Sequence, residues 1–539
     1  MLSGSCSVFR HGGDPSHATV ALLATSTAKS ESESGEKSGS QSENSRIDDA
    51  KMPSEPPKHF ENGSDNTSGM SWRAFCVLCA GALIIVVDAT VVIVALPSIG
   101  SSLQISQESL VGVVNAYTAA NGGFLLCSGK LGDLFGLRRL FLIGVALFTL
   151  ASIGCALSDS NNILQLCRVF QGLSGAAVTT ATYSSAVAFF PDLSKRVRAL
   201  SILSFVSSVG GILGLLLGGF LTESFGWRWI FLINMPIGIG VWFLCLFLVE
   251  RHPGVGHFGT TEILGGVLTT GSLILVVFAL QGIDQNGWLS NETLLSFGGA
   301  GLLLLILVWV ERHTAAPSIS LKVLRAQNFA LCGVISILSS LVGASEVFVS
   351  MYLQMVLHSS PNQVSAIFLL PSLIAAIFFF GVSARIVTKF GTRGPLSVGL
   401  AIGSAGLLVL ARTSATGCGI YGVLFGLVIV TVSIGICCTP NLVAATSDVL
   451  PVDAGMATGM LATATIMGSA IGLAFLGALF GTVQWHVHAA GASASIAAHR
   501  AYQAVFVACA MSNAMAIPFA LRIRRAREPE SLILSDSVD

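Results

Sequence analysis

The chain has 539 residues, of which 53% are hydrophobic and 10% are charged, and its formal net charge is zero. With a mean hydropathy of +0.78, this composition excludes a soluble multidomain protein and is typical of a protein that crosses a membrane many times. The zero net charge also argues against nucleic acid as a partner. The twelve cysteines are scattered, mostly within apolar runs, so they do not form the disulfide framework of a secreted protein.

Residues 1–71 differ from the rest of the chain. They are rich in serine and glutamate and almost without aromatic residues, as in the stretch STAKSESESGEKSGSQSENSRIDDAK. Such a segment cannot bury enough apolar surface to offset the entropy lost on folding. We therefore expect a disordered cytoplasmic tail here.

From residue 72 onward, apolar runs of helical length follow one another. Each is close to the roughly 20 residues that an α-helix needs to cross the ~30 Å hydrocarbon core of a bilayer. The runs are continuous rather than alternating, which favours helices over the strands of a membrane barrel. About fourteen spans are predicted, at residues 73–97, 110–128, 140–157, 163–190, 199–221, 228–248, 262–281, 292–310, 329–352, 363–381, 394–411, 417–439, 456–480 and 501–521.

The basic residues of the connecting loops orient these spans. Lysine and arginine are concentrated in cytoplasmic loops of membrane proteins. One set of alternate loops and the C-terminal tail hold Lys130, Arg138, Arg139, Lys195, Arg196, Arg198, Arg251, Arg312, Lys322, Arg325, Arg385, Lys389, Arg393, Arg522, Arg524, Arg525 and Arg527, whereas the other set holds Arg228, Arg412 and Arg500. Both termini are thus predicted to be cytoplasmic, and Asn291, in the triplet NET, is the glycosylation acceptor expected to face outside.

The stretch GKLGDLFGLRR connects the second and third predicted spans. Its glycines, Gly129 and Gly136 among them, would let two helices and a tight turn approach closely. Asp133 can pair with a basic residue or lie at a helix N-terminus, where a carboxylate is favoured. Arg138 and Arg139 would anchor the third span at the cytoplasmic surface.

Ionisable groups inside a bilayer are costly, so Asp88, Arg168 and Glu346 are candidate functional residues, with Asn115 and Gln171 as polar neighbours. Asp88 lies about fifteen residues into an outward-running span, ~22 Å from the inner edge, and Arg168 about five residues into an inward-running span, ~8 Å below the outer edge. These levels nearly coincide in a ~30 Å core. The two side chains should form an ion pair or face one water-filled cavity in the outer half.

Glu346 lies about seventeen residues into the ninth span, ~25 Å from the inner edge. This depth suggests a second acid at a level similar to that of Asp88. The alternative is an acid near the outer interface that reaches water.

Four stretches together resemble the motifs of the major facilitator superfamily, and specifically its fourteen-span drug:proton antiporter branch, as in fungal-type efflux transporters. They are GKLGDLFGLRR, DATVVIVALP, LCRVFQGLSGAA and GGILGLLLGGFLTESFGWRWIFLINMPIG. The resemblance implies an all-α polytopic fold with two pseudo-symmetric six-helix bundles, at 72–250 and 326–522, and two linker helices within 251–325. Residues 523–539 would form a cytoplasmic tail. A worn second copy of the first motif, ARIVTKFGTR, ends in Gly391 and Arg393.

The resemblance also assigns roles to particular residues. In the family, the arginine of the R-x-x-Q-G motif is implicated in proton coupling and the aspartate of the D-x-T motif in the function of the first helix; these positions are Arg168 and Asp88 here. The fifth span carries small residues at helix-packing spacing, namely Gly210, Gly214, Gly218 and Gly219. The family places proline after the second of these glycines, whereas this chain has Leu215.

The predicted function is proton-coupled export of a small amphipathic organic compound such as a drug, toxin or secondary metabolite. Alternatives are proton-coupled import of a metabolite or metal chelate, and a transporter-like membrane sensor. No Walker-type loop, metal cluster or nucleophile constellation is present in the sequence, so an enzyme is not expected and the proton is the one coupling agent predicted, with no other cofactor. We expect a monomer in the plasma membrane, with the vacuolar membrane as the alternative.

Overall fold

The computed structural model describes residues 72–190, 193–250, 260–286, 290–313, 321–378, 382–412, 419–449 and 454–524. The predicted N-terminal tail and nearly all of the predicted C-terminal tail lie outside these residues. The regular elements of the described part are helices: α1 (Trp72–Leu103), α2 (Gln107–Phe135), α3 (Leu137–Ala156), α4 (Asn161–Ala188), α5 (Leu193–Ser224), α6 (Trp229–Leu232), α7 (Asn234–Leu248), α8 (Thr260–Asn286), α9 (Asn291–His313), α10 (Leu321–Arg325), α11 (Gln327–Met355), α12 (Pro361–Ile377), α13 (Ser383–Phe390), α14 (Arg393–Arg412), α15 (Gly419–Thr446), α16 (Ala454–Ala489), α17 (Ala494–Met515) and α18 (Ile517–Leu521).

Most predicted spans correspond to one helix, but three are interrupted. The sixth is divided into α6 and α7 around Ile233, the tenth ends at Ile377 and is followed by α13, and the fourteenth continues after Ala516 as α18. Four helices of the described part begin with a serine cap: Ser160, Ser290, Ser360 and Ser493 each accept a hydrogen bond from the backbone three residues later. Such caps satisfy a free N–H group of the first helical turn, which fixes where each helix starts.

Within the described residues, ten helices are long and apolar enough to span a bilayer, or eleven if the two parts of α2 are counted as one span. The other predicted spans correspond to α4, which carries Arg168 and several other polar residues, and to the shorter apolar segments Leu264–Leu280 and Pro361–Ile377. A multi-pass helical membrane protein is confirmed, and the total of fourteen spans stays a prediction.

The hydrophobic clusters show how the two halves meet. At the end that the basic residues predict to face outside, one cluster combines residues of α1, α2 and α5 with residues of α11, α12 and α16. At the opposite end, the clusters found among the described residues each draw on α1–α7 alone, on α10–α18 alone, or on the linker helices α8 and α9. The halves are therefore packed together at this end, which is called the outer end below.

The first linker helix lies against both halves. In α8, Gly266 abuts Cys127 of α2, and Thr270 packs against Gly123 of the same helix. Further along, Leu273 and Val277 share a cluster with alanines of α2 and α16. The linker helix α8 therefore covers the line along which α2 meets α16.

Candidate functional site

The GKLGDLFGLRR stretch is mostly helical, and the tight turn expected between the second and third spans is shorter than the stretch itself. Helix α2 continues to Phe135 and α3 begins at Leu137, so Gly136 alone makes the turn. Its φ of +87° is one that residues with a side chain rarely adopt, and its N–H bonds the carbonyl oxygen of Gly132. Gly391 makes the same turn between α13 and the arginine that begins α14, with φ +74° and an N–H bonded to Val387. The worn copy thus keeps the backbone geometry of the first motif.

The charged residues of this stretch differ in burial and in the contacts that they make. Asp133 is exposed in the last turn of α2, not at a helix N-terminus. Arg138 is half-buried and donates from Nη2 to the carbonyl oxygen of Leu246 at 2.7 Å, near the end of α7. A cation at a helix C-terminus interacts favourably with the helix dipole. Arg138 therefore ties the start of α3 to the end of α7, whereas Arg139 is exposed.

Asp88 and Arg168 form an ion pair, the first of the two arrangements considered above. Arg168 Nη1 lies 2.5 Å from Asp88 Oδ2, and both side chains are fully buried. A buried charge is tolerated only when it is paired and hydrogen-bonded, and removing one partner of a buried pair is strongly destabilising. The pair joins α1 to α4 in the interior of the N-terminal half.

Amide side chains complete the coordination of the carboxylate. Asp88 Oδ1 accepts from Gln171 Nε2 at 3.2 Å and from Asn234 Nδ2 at 2.7 Å. Gln171 Oε1 in turn accepts from Arg168 Nη1 at 2.9 Å, and Gln171 Nε2 donates to Ser152 Oγ at 2.7 Å. Helices α1, α3, α4 and α7 therefore meet in one buried polar network. Asn234 and Ser152 were not identified from the sequence.

Aromatic and backbone contacts hold the guanidinium in place. Its carbon lies 4.3 Å from the centre of the Tyr117 ring, and Nε donates to the carbonyl oxygen of Val113 at 3.3 Å. Gly172 permits this approach of α4 to α2, because a Cβ there would lie 2.9 Å from the Cβ of Ala120. Arg168 Nη2 is buried without a hydrogen-bond partner. The arginine is thus held on several sides, and one of its terminal nitrogens has no hydrogen-bond partner.

Two predicted site residues lie outside this network. Asn115 is fully buried, and both polar atoms of its amide lack a partner. It shares a face of α2 with Val111 and Gly122, which contact Gly477 and Ile466 of α16, so it is placed between the two halves. Glu346 is half-buried on α11, and no hydrogen bond or ion pair connects it to any described residue.

The glycines of α5 form two different contacts. A Cβ at Gly214 would lie 2.7 Å from the carbonyl oxygen of Val87, and one at Gly218 2.8 Å from that of Val91, while Gly210 packs on Val86. These three positions press α5 against α1. Gly219 instead faces α12 of the other half, where a Cβ would lie 2.7 Å from the carbonyl oxygen of Pro361. The helix is continuous through Leu215, the position at which the family has proline.

Helix α16 repeats this arrangement. Gly468 and Gly472 pack on α11, and Gly477 packs on α2 of the other half, with the spacing of Gly210, Gly214 and Gly219. The contacted pairs Leu83 and Ile337, Val86 and Ser340, Val87 and Leu341, and Val111 and Ser365 are each 254 residues apart. By that offset, Asp88 corresponds to Val342 and Glu346 to Val92. Glu346 therefore lies one turn further outward than the counterpart of Asp88, not at its level.

The outer contact between the halves depends on a proline. Pro97, inside α1, has no N–H to donate to the carbonyl oxygen of Ile93 four residues earlier. Ser350 Oγ of α11 donates to that oxygen at 2.9 Å, and Gln354 Nε2 donates to the carbonyl oxygen of Val94 at 2.9 Å. A main-chain acceptor that the proline leaves unpaired is thus satisfied by the other half. We call Ser350, Gln354 and these two carbonyl groups the outer latch.

Polar contacts also join α5 to α12. Ser365 Oγ donates to the carbonyl oxygen of Leu215 at 2.6 Å. The N–H of Asn362, in the first turn of α12, donates to Glu223 Oε2 at 3.1 Å, and a carboxylate is favoured at a helix N-terminus. Two independent sets of hydrogen bonds therefore hold the outer end closed.

Weakening the outer latch should open the outer end. Combining Ser350→Ala with Gln354→Leu removes both donors, each worth about 1 kcal/mol, so the closed state should lose roughly tenfold or more in relative population. A cysteine introduced at Ala95, which is fully buried and directly follows Val94 of the latch, should then react faster with an impermeant maleimide added outside. Ser339→Ala is the control, because that hydroxyl bonds only its own helix. Equal labelling rates in the latch and control variants would show that these hydrogen bonds do not keep the outer end closed.

No group of three or more potential metal ligands occurs among the described residues.

Comparison with known proteins identifies the family to which the chain belongs. The family model described as Major Facilitator Superfamily matches residues 78–437. A solved bacterial homologue of the human lysosomal transporter Spinster, inward-facing and unoccupied, has a similar fold, with a TM-score of 0.60, 15% identity and coverage of 88% of this chain and 99% of its own.

Two curated relatives are similar over most of their length. The multidrug resistance protein Stp of Mycobacterium tuberculosis (strain CDC 1551 / Oshkosh) is 33% identical over 406 residues, covering 74% of each chain. The cephamycin export protein CmcT of Amycolatopsis lactamdurans is 32% identical over 460 residues, covering 84% of this chain and 92% of its own. The resemblance to the drug:proton antiporter branch is confirmed, its fungal type stays a prediction, and the chain is a transporter rather than an enzyme. It belongs to the Major Facilitator Superfamily.

Proposed function

We propose that the protein is a proton-coupled exporter of small amphipathic organic compounds. The observation that carries this proposal is the ion pair of Asp88 with Arg168, fully buried in a membrane-spanning bundle. Intramembrane charges of this kind are typical of proton relays and substrate paths in transporters. The names of the relatives, among them multidrug resistance, cephamycin export and puromycin resistance proteins, favour outward transport of drug-like or antibiotic-like molecules.

The mechanism requires a group whose protonation differs between two states. An arginine beside a carboxylate favours the charged form of the carboxylate, whereas removal from water favours the neutral form. In the closed-outside state, the Asp88 side chain accepts hydrogen bonds from Arg168, Gln171 and Asn234. Opening the outer end would admit water, disturb this network and allow a proton to bind. Glu346, half-buried one turn before Ser350 of the outer latch, is the candidate second acid.

The distribution of lysine and arginine supports cytoplasmic termini in a plasma membrane protein, with Asn291 as a glycosylation acceptor on the outer side. Asp133 and the Gly136 turn would belong to the part that moves between the two states. We also propose that the proton is the coupling ion. The protein would act as a monomer and would need no other cofactor.

The test is efflux of a fluorescent cationic dye, ethidium, from cells that express the protein. Efflux should be faster than in cells without it and should collapse when a protonophore removes the proton gradient. It should persist when ATP is depleted and the gradient is clamped. Uptake of the dye in place of efflux would favour an importer, and efflux that survives the protonophore would exclude proton antiport.

A further inference from the structure

We propose that Asn234 is a positioning residue that sets the pH at which the Asp88 carboxylate takes up a proton. This inference rests on the proposed function, because it assumes that Asp88 is the proton-carrying group. It adds to the ion pair a residue on a third helix, α7, to which the motifs assign no role.

The geometry distinguishes Asn234 from the other amide at this carboxylate. Asn234 Nδ2 lies 2.7 Å from Asp88 Oδ1, whereas Gln171 Nε2 lies 3.2 Å from the same oxygen. The side chain of Asn234 is buried, and its amide is also 3.4 Å from Ser152 Oγ. The shorter bond to Oδ1 therefore comes from Asn234, while Arg168 occupies Oδ2.

The position of Asn234, next to a break between two helices, allows the length of this hydrogen bond to change when the outer end rearranges. Asn234 is the first residue of α7, directly after the break at Ile233, and Pro236 follows two residues later. Short helix α6, on the other side of the break, contributes Ile230 and Phe231 to the cluster shared by both halves at the outer end. A change in that cluster can therefore reach the amide through only three residues of chain. We expect the hydrogen bond from Asn234 to Asp88 to change when the outer latch opens.

Few charged or titratable groups face Asp88 from the described helices packed around it. Arg168 comes from α4, Tyr117 from α2 and Cys155 from α3. Glu346 lies on the face of α11 that carries Ser350, which contacts α1. Helix α5 presents glycines there, and α7 presents the neutral Asn234. Removing the Asn234 amide thus changes the hydrogen bonding of the carboxylate without changing any charge nearby.

A donor to a carboxylate stabilises its charged form, so its loss should let Asp88 bind a proton at higher pH. The test is a pH titration of the full-length protein in proteoliposomes by infrared difference spectroscopy. The band to follow is the carbonyl stretch of a protonated carboxyl group that is absent from Asp88→Asn. In Asn234→Leu, the midpoint of this band should move up by about one pH unit or more. Ethidium transport should show the same displacement in its pH profile.

Asn513→Leu is the matched control, because it makes the same change at another buried asparagine, on α17, that does not contact Asp88. Its band should titrate as in the wild type. Asn234→Asp is a second variant of nearly identical shape, for use if Asn234→Leu does not fold, and it should raise the midpoint further because two adjacent carboxylates share a proton.

A midpoint unchanged in both Asn234 variants would overturn the proposal, as would a shift of the same size in Asn513→Leu. Absence of the band from the wild type and from both variants, at every pH where the protein stays folded, would also overturn it. The proposed function can fail separately: a shifted band together with efflux that ignores the protonophore would leave Asn234 controlling a carboxyl group that is not coupled to transport.

Discussion

Asp88→Asn should abolish uphill transport while substrate exchange across the membrane continues. Asparagine matches the shape of aspartate and can still accept from Arg168, but it does not titrate, so no proton can be carried at this site. In proteoliposomes driven by a pH jump, the ethidium gradient should fall by about tenfold or more. Exchange of internal for external dye at equal pH should remain, because it needs the moving halves and not the proton.

The variant also leaves the buried guanidinium of Arg168 without an opposite charge, which can destabilise the fold by about 3–5 kcal/mol. Expression level and the elution profile of the purified protein must therefore be compared with those of the wild type. Glu346→Gln is the companion variant, since it neutralises the acid that has no partner among the described residues. If Asp88→Asn still concentrates the dye with an unchanged pH profile and Glu346→Gln does not, Glu346 carries the proton and the role of Asp88 is structural.

Gly214→Val should reduce transport by about tenfold or more, because it forces α5 away from α1. A side chain at this position would collide with the carbonyl oxygen of Val87 and with Thr90 Oγ1. Overpacking of this kind commonly costs about 1–3 kcal/mol, and the main chain can yield less than a side chain. Val87 directly precedes Asp88, so the displaced helix would also carry the carboxylate away from Arg168.

Gly211→Val is the matched control, because a Cβ at Gly211 meets no atom within 4 Å. It should transport at close to the wild-type rate, and its melting temperature after purification should be similar. Gly214→Ala should fall between the two. A wild-type rate in Gly214→Val would mean that the close approach of α5 to α1 is not needed for transport.

The common depth of Asp88 and Arg168 could be predicted because the rise of an α-helix per residue is constant, and this left an ion pair as one of two possible arrangements. Two positions counted from opposite edges of the membrane can therefore be compared for depth. The direction in which each side chain points was not available from that count. This is why Asn234 and Ser152 were missed: a single amide or hydroxyl in an apolar run gives little signal. Asn234 lies about six residues inside the outer edge of the predicted sixth span, close to the depth of Arg168. Counting residues from the edge of the membrane could therefore have identified it as well.

Glu346 shows the limit of depth alone. Its distance from the inner edge resembled that of Asp88, but the glycine contacts of α5 and α16 place it one turn beyond the equivalent position. The turn motif shows a different limit. Glycine content indicated a bend between two spans, but only the φ of Gly136 reveals that a single residue makes it. The helices on either side continue because their residues satisfy the helical hydrogen bonds almost to the bend.

The matched glycine contacts give the chain the interface of a fused dimer. Two identical subunits related by a two-fold axis meet isologously, so that residue i touches j′ while i′ touches j. Gly219 against Ser365 and Gly477 against Val111 obey this rule, because Ser365 and Val111 occupy equivalent positions. One flank of the interface now closes with a hydroxyl bonded to Leu215 and the other with an apolar valine. Both interfaces therefore have a glycine at the helix crossing, whereas the side chain packed against that glycine is polar in one and apolar in the other.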